Sequence, residues 1–468
     1  MARLQRSPVL AGLREGRSRG RTVRMVWHDT ARGELAKSGQ ALVEIPGRRP
    51  VWRLHQTLPD PHWAVRPGRL VPPLAEAPRQ DALDLPLRDP LVPMAAFDGR
   101  RLDMRLSNGL DLSLLSGELR AVAARRPVAR MTVEGEAAPA HDFALRLVEG
   151  AALLPVGPDL AEEARALAHG TPPRPRRVGA PLLPSGLDVG DAFAFIIGHL
   201  AEVMLLWLPA ARSGETPEGV HQMRVALRRL RSALKVFGKP LACEAVADLD
   251  GRLKALARAL GPARDWDVFL AGVGADLSAV LPEKPILAMV ADARRRRAMA
   301  YRDLAHVLDG PDLRQTLIAA ASLAATRPWP AEPAAERIEA FAARMLTRRH
   351  KRMLAHGRDI ESWPDEELHA LRLDAKRLRY AAEFFSPLFG AHGAKRFLKR
   401  LAALQETLGI VNDGAVAGGL VAEIAGRGSA RAFAAGALRG LVAGRAALAR
   451  RDAVSAWEAF LDRKPFWG

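Results

Sequence analysis

The sequence predicts an α+β N-terminal half followed by an all-α C-terminal half, and three observations predict it. Residues 1–170 consist of short segments that are β-branched or alternate apolar with polar residues, punctuated by Gly and Pro. From Asp188 to about Ala459 the pattern changes to long Ala-, Leu- and Arg-rich stretches with a period near 3.6. Within that second half one pattern recurs at a constant spacing of 148 residues. The breaker-rich stretch Gly170–Gly186, with TPPRPRR and APLLPSG, reads as a linker. The expected organisation is a domain over 1–170, a linker over 171–186 and a helical domain over 187–468, with repeat copies over about 188–310 and 334–460.

In the N-terminal half the expected strands are Arg21–Trp27, Ala41–Ile45, Val51–Leu54, Leu102–Leu106, Leu110–Leu114 and Arg130–Glu136. Asn108-Gly109, inside RLDMRLSNGLDLSLL, is a hairpin signal because both residue types tolerate the positive φ of a tight turn. Leu160–His169 reads as one short helix. In the helical half each copy holds four expected helices: 188–211, 217–238, 242–260 and 285–308, then 334–358, 365–389, 392–408 and 430–460. Thr216-Pro217-Glu218 and Pro364-Asp365-Glu366 suit helix starts, since proline fits the first turn and acids complement the dipole. Gly261 and Gly409 are expected C-caps.

Composition narrows the function classes. The 468 residues carry 70 Lys+Arg against 52 Asp+Glu, a formal charge of +18, and are 49% hydrophobic, which excludes wholesale disorder. The positive charge is spread along the chain: residues 1–185 hold 28 basic and 20 acidic residues, and residues 186–468 hold 42 and 32. The balance points to a polyanion or an anionic surface as partner. A single cysteine, Cys243, rules out an intrachain disulfide and a Cys-rich zinc site and fits a reducing compartment. Met1–Arg24 is arginine-rich, is broken by Gly16 and Gly20 and has no apolar core of the signal-peptide kind, so a cytoplasmic location is expected. Ala192–Ala211 is apolar enough to be a membrane candidate, but His199 and Glu202 at mid-span mark it as a buried bundle helix.

The repeat carries the functional information. VHQMRVALRRLRSALKVF at Val220–Phe237 and LHALRLDAKRLRYAAEFF at Leu368–Phe385 share seven of eighteen residues, including His221/His369, Arg224/Arg372 and Arg231/Arg379. The same offset pairs Leu253 with Leu401, Gly261 with Gly409, Asp265 with Asp413 and Arg297 with Arg445. On a helix, His221, Arg224, Arg228, Arg231 and Lys235 fall within an arc of roughly 80° and form a stripe about 20 Å long. His369, Arg372, Lys376 and Arg379 repeat it, with Glu383 where the first copy has Lys235. Most basic residues on helices lie on solvated faces, but such faces interleave opposite signs at i,i+4. The first stripe has no acid, and the resulting self-repulsion, a few tenths of a kcal/mol per pair, appears in both copies; a bound polyanion accounts for it.

Each histidine lies in the first turn of its helix, where the positive dipole end disfavours imidazolium, so orienting an arginine or donating to a phosphate is the expected role. No second ligand stands at metal-binding spacing, and no cofactor is expected. The stripes contain no aromatic residue for base stacking, which favours a ligand made of phosphates alone over a nucleic acid. Arginine forks in a row suit a linear phosphate chain.

These repeated segments, with LGPARDWD and LGIVND after them, resemble the CHAD family, the conserved-histidine α-helical domains, over roughly residues 186–465. The resemblance implies two four-helix bundles related by a pseudo-twofold, a basic groove between them, binding of inorganic polyphosphate and association with polyphosphate granules. Carried over by position, it implies His221, Arg224, Arg228, Arg231, Lys235, His369, Arg372, Lys376 and Arg379 as ligand residues, with Arg297 and Arg445 on the fourth helices as further candidates. CHAD domains often follow a CYTH domain, a triphosphate-tunnel fold. VRMVWHDTARGELAKSGQALVEI and RMTVEGEAAPAHDFALRL resemble parts of one, although the opening Glu-x-Glu-x-Lys is absent and Ala31 follows Asp29-Thr30 where that family has proline. Hydrolysis in such a tunnel needs clustered carboxylates to hold a divalent metal; Glu134 and Glu136, two residues apart, could share a strand face but lack the first set. The expected protein is therefore a non-enzymatic polyphosphate binder with no specific nucleic acid and no membrane as partner. A metal-dependent triphosphatase or polyphosphatase and a generic nucleic-acid binder are the rival expectations.

Overall fold

The computed structural model describes residues 8–56, 74–151, 153–154, 159–171, 180–357, 360–424 and 428–468, with backbone alone at 137, 361, 365, 391 and 411–424. Seven strands form one antiparallel sheet: β1 (Arg14–Thr30), β2 (Gln40–Ile45), β3 (Val51–Gln56), β4 (Leu74–Ala77), β5 (Leu91–Leu106), β6 (Asp111–Ala121) and β7 (Arg125–Glu134). Their order is β4-β3-β2-β1-β5-β6-β7. The expected hairpin is present: Gly109, at φ 81°, turns β5 into β6, and Arg105 pairs with Asp111 across it. Strands β1 and β5 run longer than expected because they pair with each other over most of their length: β1 continues through REGRSRG, where polar residues hide the alternation, and β5 starts at Leu91 with LVPMAAF, an apolar run without alternation, before DGRR.

Each face of the sheet is covered. Helix α1 (Ala137–Gly150) sets Phe143 and Leu147 against Met104, Leu112 and Leu114. Helix α2 (Leu160–Ala168) sets Ala164 and Leu167 against Trp27, Phe97 and Leu119, which have the opposite parity on their strands. Gly99 faces Gly117 between β5 and β6, and a Cβ at either would stand 2.6–2.8 Å from Cζ of Phe97, so the ring fills the space that side chains would take. At the end of β1 the fully buried Asp29 accepts from the amides of Thr30, Leu35 and Ala36 at 2.8, 2.9 and 3.0 Å. The Asp-Thr pair thus ties down the single helical turn Glu34–Lys37.

The helical part runs α3 (Val189–Ser213), α4 (Glu218–Phe237), α5 (Glu244–Ala259), α6 (Gly261–Ala271), α7 (Val273–Val280), α8 (Lys284–Asp309), α9 (Pro311–Thr326), α10 (Ile338–Leu354), α11 (Asp365–Phe385), α12 (Ala391–Ile424) and α13 (Ser429–Leu461). Helices α6, α7 and α9 were not expected. Gly261 opens α6, with Pro262 in its first turn, and does not cap the helix before it. Gly409 has no left-handed φ, and α12 continues through it to Ile424. Two compact units result, Met1–Val178 with Ile197–Leu206 and Pro311–Arg327, and Gly179–Ile196 with Trp207–Gly310 and Pro328–Gly468. The apolar window of α3 is 78% buried; α13 passes the same length and hydropathy test at 22% but carries five arginines, which are costly in a membrane.

In the second unit the two repeat copies meet at a cluster of four phenylalanines. Phe193 stacks on Phe237 at 5.0 Å, Phe237 stacks on Phe341 at 5.2 Å, and Phe385 stands edge-on to both Phe237 and Phe341 at 5.9 and 6.1 Å. The 148-residue offset relates Phe193 to Phe341 and Phe237 to Phe385, so each copy contributes the same two rings. The starts of α3 and α10 also pair: the Val189 amide donates to the Glu336 carbonyl at 2.9 Å and the Ile338 amide to the Leu187 carbonyl at 3.1 Å. Phe237 touches the other three rings and is fully buried. Phe237→Ala is expected to destabilise this unit by about 3–5 kcal/mol, read as a lowered midpoint in chemical denaturation followed by far-UV circular dichroism.

Candidate functional site: a basic cavity walled by three helices

The amphipathic pattern of α4 decides which of its residues reach the site. Met223, Leu227, Leu230, Leu234 and Phe237 are buried, which turns Arg228, Arg231 and Lys235 outward. On α11, burial of Leu371, Ala375, Leu378 and Phe385 does the same for Lys376, whereas Arg372 does not line the cavity. Between them and α10 lies a cavity of about 850 Å³. Helix α4 and the residues after it supply Arg228, Arg231, Lys235 and Lys239; α10 supplies Arg344, Arg348, Arg349 and Arg352; α11 supplies Lys376 and Arg377. These ten cations face one lining carboxylate, Asp374. The two aromatic lining residues, Phe341 and Tyr380, are buried.

Lys376 is where the two stripes meet. Burial, followed by the charges of Arg228, Arg372, Lys235 and Arg224, pushes its ammonium down to about 8 from the ordinary 10.5. Arg349 is pushed down to about 10, first by burial and then by Arg377 and Arg348. Arg224 does not line the cavity. Its guanidinium donates to the Ala257 carbonyl at 3.3 Å and lies in the field of Asp265 and Arg264. His221, beside it, is held below the usual imidazole range, by burial first and then by Arg264, with Arg228 and Arg224 adding to the effect. His369 is exposed in the first turns of α11.

The remaining sequence candidates carry internal partners. Arg231 lines the cavity while its Nε donates to Asp250 at 3.1 Å. Arg379 donates to Glu383 and to Gln405, both at 2.8 Å, and Arg229 of the first copy donates to the other Glu383 oxygen at 3.1 and 3.2 Å. Glu383 thereby links the copies through α4 and α11. Arg297 donates to the buried Asp267 at 2.7 Å and lies 4.3 Å from the centre of the Tyr301 ring, whose hydroxyl donates to the same aspartate at 2.7 Å. Arg445 donates to Asp276 at 2.7 Å, joining α13 to α7. Asp413, the counterpart of Asp265, has no described side chain.

Sequence reasoning missed the α10 wall. Its signal was present in TRRHKR, Thr347–Arg352, but the counterpart of α10 in the first copy is the apolar α3, so comparing the copies drew attention away from it. Arg264, which acts on both His221 and Arg224, was equally legible in LGPARDWD. In the sheet unit Glu134 and Glu136 do not share a strand face. Strand β7 ends at Glu134, Gly135 takes φ 150°, and Glu136 is the N-cap residue of α1. Among the described residues no group of three or more His, Cys, Asp and Glu could hold a metal ion.

A family model for the CHAD domain matches residues 196–422. The crystal structure of the CHAD domain from the plant Ricinus communis superposes with a TM-score of 0.53 and 31% identity, over 62% of this chain and 98% of that one. The chain belongs to the CHAD family. Uncharacterized proteins from two strains of Mycobacterium tuberculosis are each 30% identical over 227 residues, 47% of this chain; the chain spans less than half of their length, 43%.

The Glu383 link generates a stability prediction. Its carboxylate and the Arg229 side chain are 15% and 16% exposed. Glu383→Ala leaves two arginines without their shared partner and is expected to cost about 2–4 kcal/mol in urea denaturation.

Proposed function

We propose that this protein binds inorganic polyphosphate, with the cavity between α4, α10 and α11 as its seat. The observation that carries this reading is the set of cations around a space of about 850 Å³: Arg231, Arg344, Arg352 and Arg377 are paired with Asp250, Glu336 and Asp374, and Arg228, Lys235, Lys239, Arg348, Arg349 and Lys376 add six more charges with no carboxylate partner among the described residues. Such a charge density is self-repulsive unless an anion fills it, and guanidinium forks bind phosphate oxygens in pairs. A ligand of phosphates alone suits a wall whose aromatic residues are buried, since bases would find no ring to stack on. The likeness to CHAD domains supports the same ligand and, with it, association with polyphosphate granules in the cytoplasm. We read the helical part as two pseudo-twofold-related four-helix bundles, which the paired starts of α3 and α10 and the equivalent phenylalanines support. The sheet unit we read as a degenerate triphosphate-tunnel domain without hydrolytic activity, because Glu134 and Glu136 fall on different elements.

Fluorescence anisotropy of labelled long-chain polyphosphate tests the reading. Binding is expected to weaken linearly in log–log with salt and to survive excess duplex DNA at matched phosphate concentration. Arg228→Glu and Lys376→Glu are each expected to reduce affinity at least about tenfold. Equal displacement by DNA, or undiminished binding in both variants, overturns it.

The depressed ammonium of Lys376 adds a pH prediction. Without ligand the group titrates near 8. A bound polyanion favours its charged form and raises that value, so binding at pH 8 takes up protons and affinity falls as pH rises through 8. The unliganded protein gains stability over the same rise, because the folded pKa lies below the unfolded one. Calorimetric titration in two buffers of different ionisation enthalpy reads the proton uptake, and Lys376→Arg is expected to bind without it.

A further inference from the structure

The one carboxylate that lines the cavity among the described residues has an organised environment. Asp374 stands on α11 where the first copy has Ala226, and its side chain is only 7% exposed. Its Oδ2 accepts from Nε of Arg352 at 3.1 Å and from Nε2 of His356 at 3.0 Å. Its Oδ1 accepts from Nη1 of Arg377 at 2.8 Å. Burial pushes this carboxyl up, but the hydrogen bonds from His356, Arg377 and Arg352 outweigh it and hold the group below the usual carboxylate range. The flanking helix positions Leu371, Ala375 and Leu378 are fully buried, and the three donors together hold the carboxylate at the cavity wall.

Three donors converging on one point is the geometry that a compact multivalent anion requires. Cations spaced along a helix at one-turn and two-turn intervals, as Arg228 and Lys235 are, instead suit an extended chain. We propose that Asp374 is a specificity residue of the groove: its carboxylate fills the point where donors converge, excluding compact phosphates while leaving the extended row of cations to a linear chain. This rests on the polyphosphate reading for the identity of the chain. A compact anion entering at Asp374 meets a like charge and finds Arg352 and Arg377 already committed. A linear chain has other contacts available along α4 and at Lys376.

Isothermal titration of tripolyphosphate and of long-chain polyphosphate into the wild-type protein, Asp374→Asn and His356→Gln tests the assignment. Asp374→Asn keeps the shape and removes the charge; it is expected to bind tripolyphosphate at least about tenfold more tightly and long chains within about threefold of wild type. His356→Gln, which removes a donor to Asp374 at a residue that does not line the cavity, is expected to leave long-chain affinity within about twofold, because that histidine serves Asp374. Unchanged tripolyphosphate binding in Asp374→Asn, or equal gains for both ligands, overturns the specificity role. So does a tenfold loss of long-chain binding in His356→Gln, a readout that stands even if the buried Asp374 variant fails to fold. Wild-type protein with no affinity for long chains overturns the functional reading instead, and the tripolyphosphate gain in Asp374→Asn is scored independently of it.

Discussion

The helical unit depends on the packing of four phenylalanines, two from each repeat copy. Phe193, Phe237, Phe341 and Phe385 are at most 2% exposed. Burying a ring of this size contributes about 1.5–3 kcal/mol, whereas a like-charge pair on a helix surface costs only a few tenths. The hydrophobic contribution wins. Once the rings of α4, α10 and α11 are drawn together, the opposite faces of those helices have no freedom to move apart, and their arginines and lysines are held around one space. The positive field is thus a consequence of the core beneath it, sustained against its own repulsion.

Side chains with internal partners divide the work of positioning from that of contact. Glu383 between Arg229 and Arg379, and Asp267 between Arg297 and Tyr301, fix helices relative to one another. Arg228, Lys235 and Lys376 keep their charge directed into the cavity. Residues of identical type on equivalent helices therefore serve different ends, decided by whether an acid on a neighbouring helix lies within reach.

That distinction explains how much was legible in the sequence. Helical periodicity identified the buried face of α4 and α11 and hence which residues point outward, and the 148-residue offset identified both stripes. It could not show what stands opposite. Asp250 lies 19 residues from Arg231, and Asp276 lies 169 from Arg445; no spacing rule connects such pairs. The α10 wall escaped notice for the complementary reason: duplication left the first helix of one copy apolar and that of the other arginine-rich, so the repeat concealed what had diverged. In the sheet, the turn at Asn108-Gly109 was readable from two residues, whereas the full length of β1 and β5 depended on mutual pairing.

The paired starts of α3 and α10 bear on biosynthesis. The Val189 amide meets its carbonyl partner on Glu336, and the Phe193 ring sits within a cluster completed by Phe341 and Phe385. At about 5–20 residues per second, the ribosome needs about 10–40 s to make the intervening chain. Throughout that interval Phe193 of α3, a helix with a mean hydropathy of 1.8 over its most apolar window, has Phe237 as a partner but lacks Phe341 and Phe385, which complete the cluster. The first copy is thus translated well before its phenylalanine cluster can close, and part of its apolar surface stays uncovered for as long as the second copy is still being made.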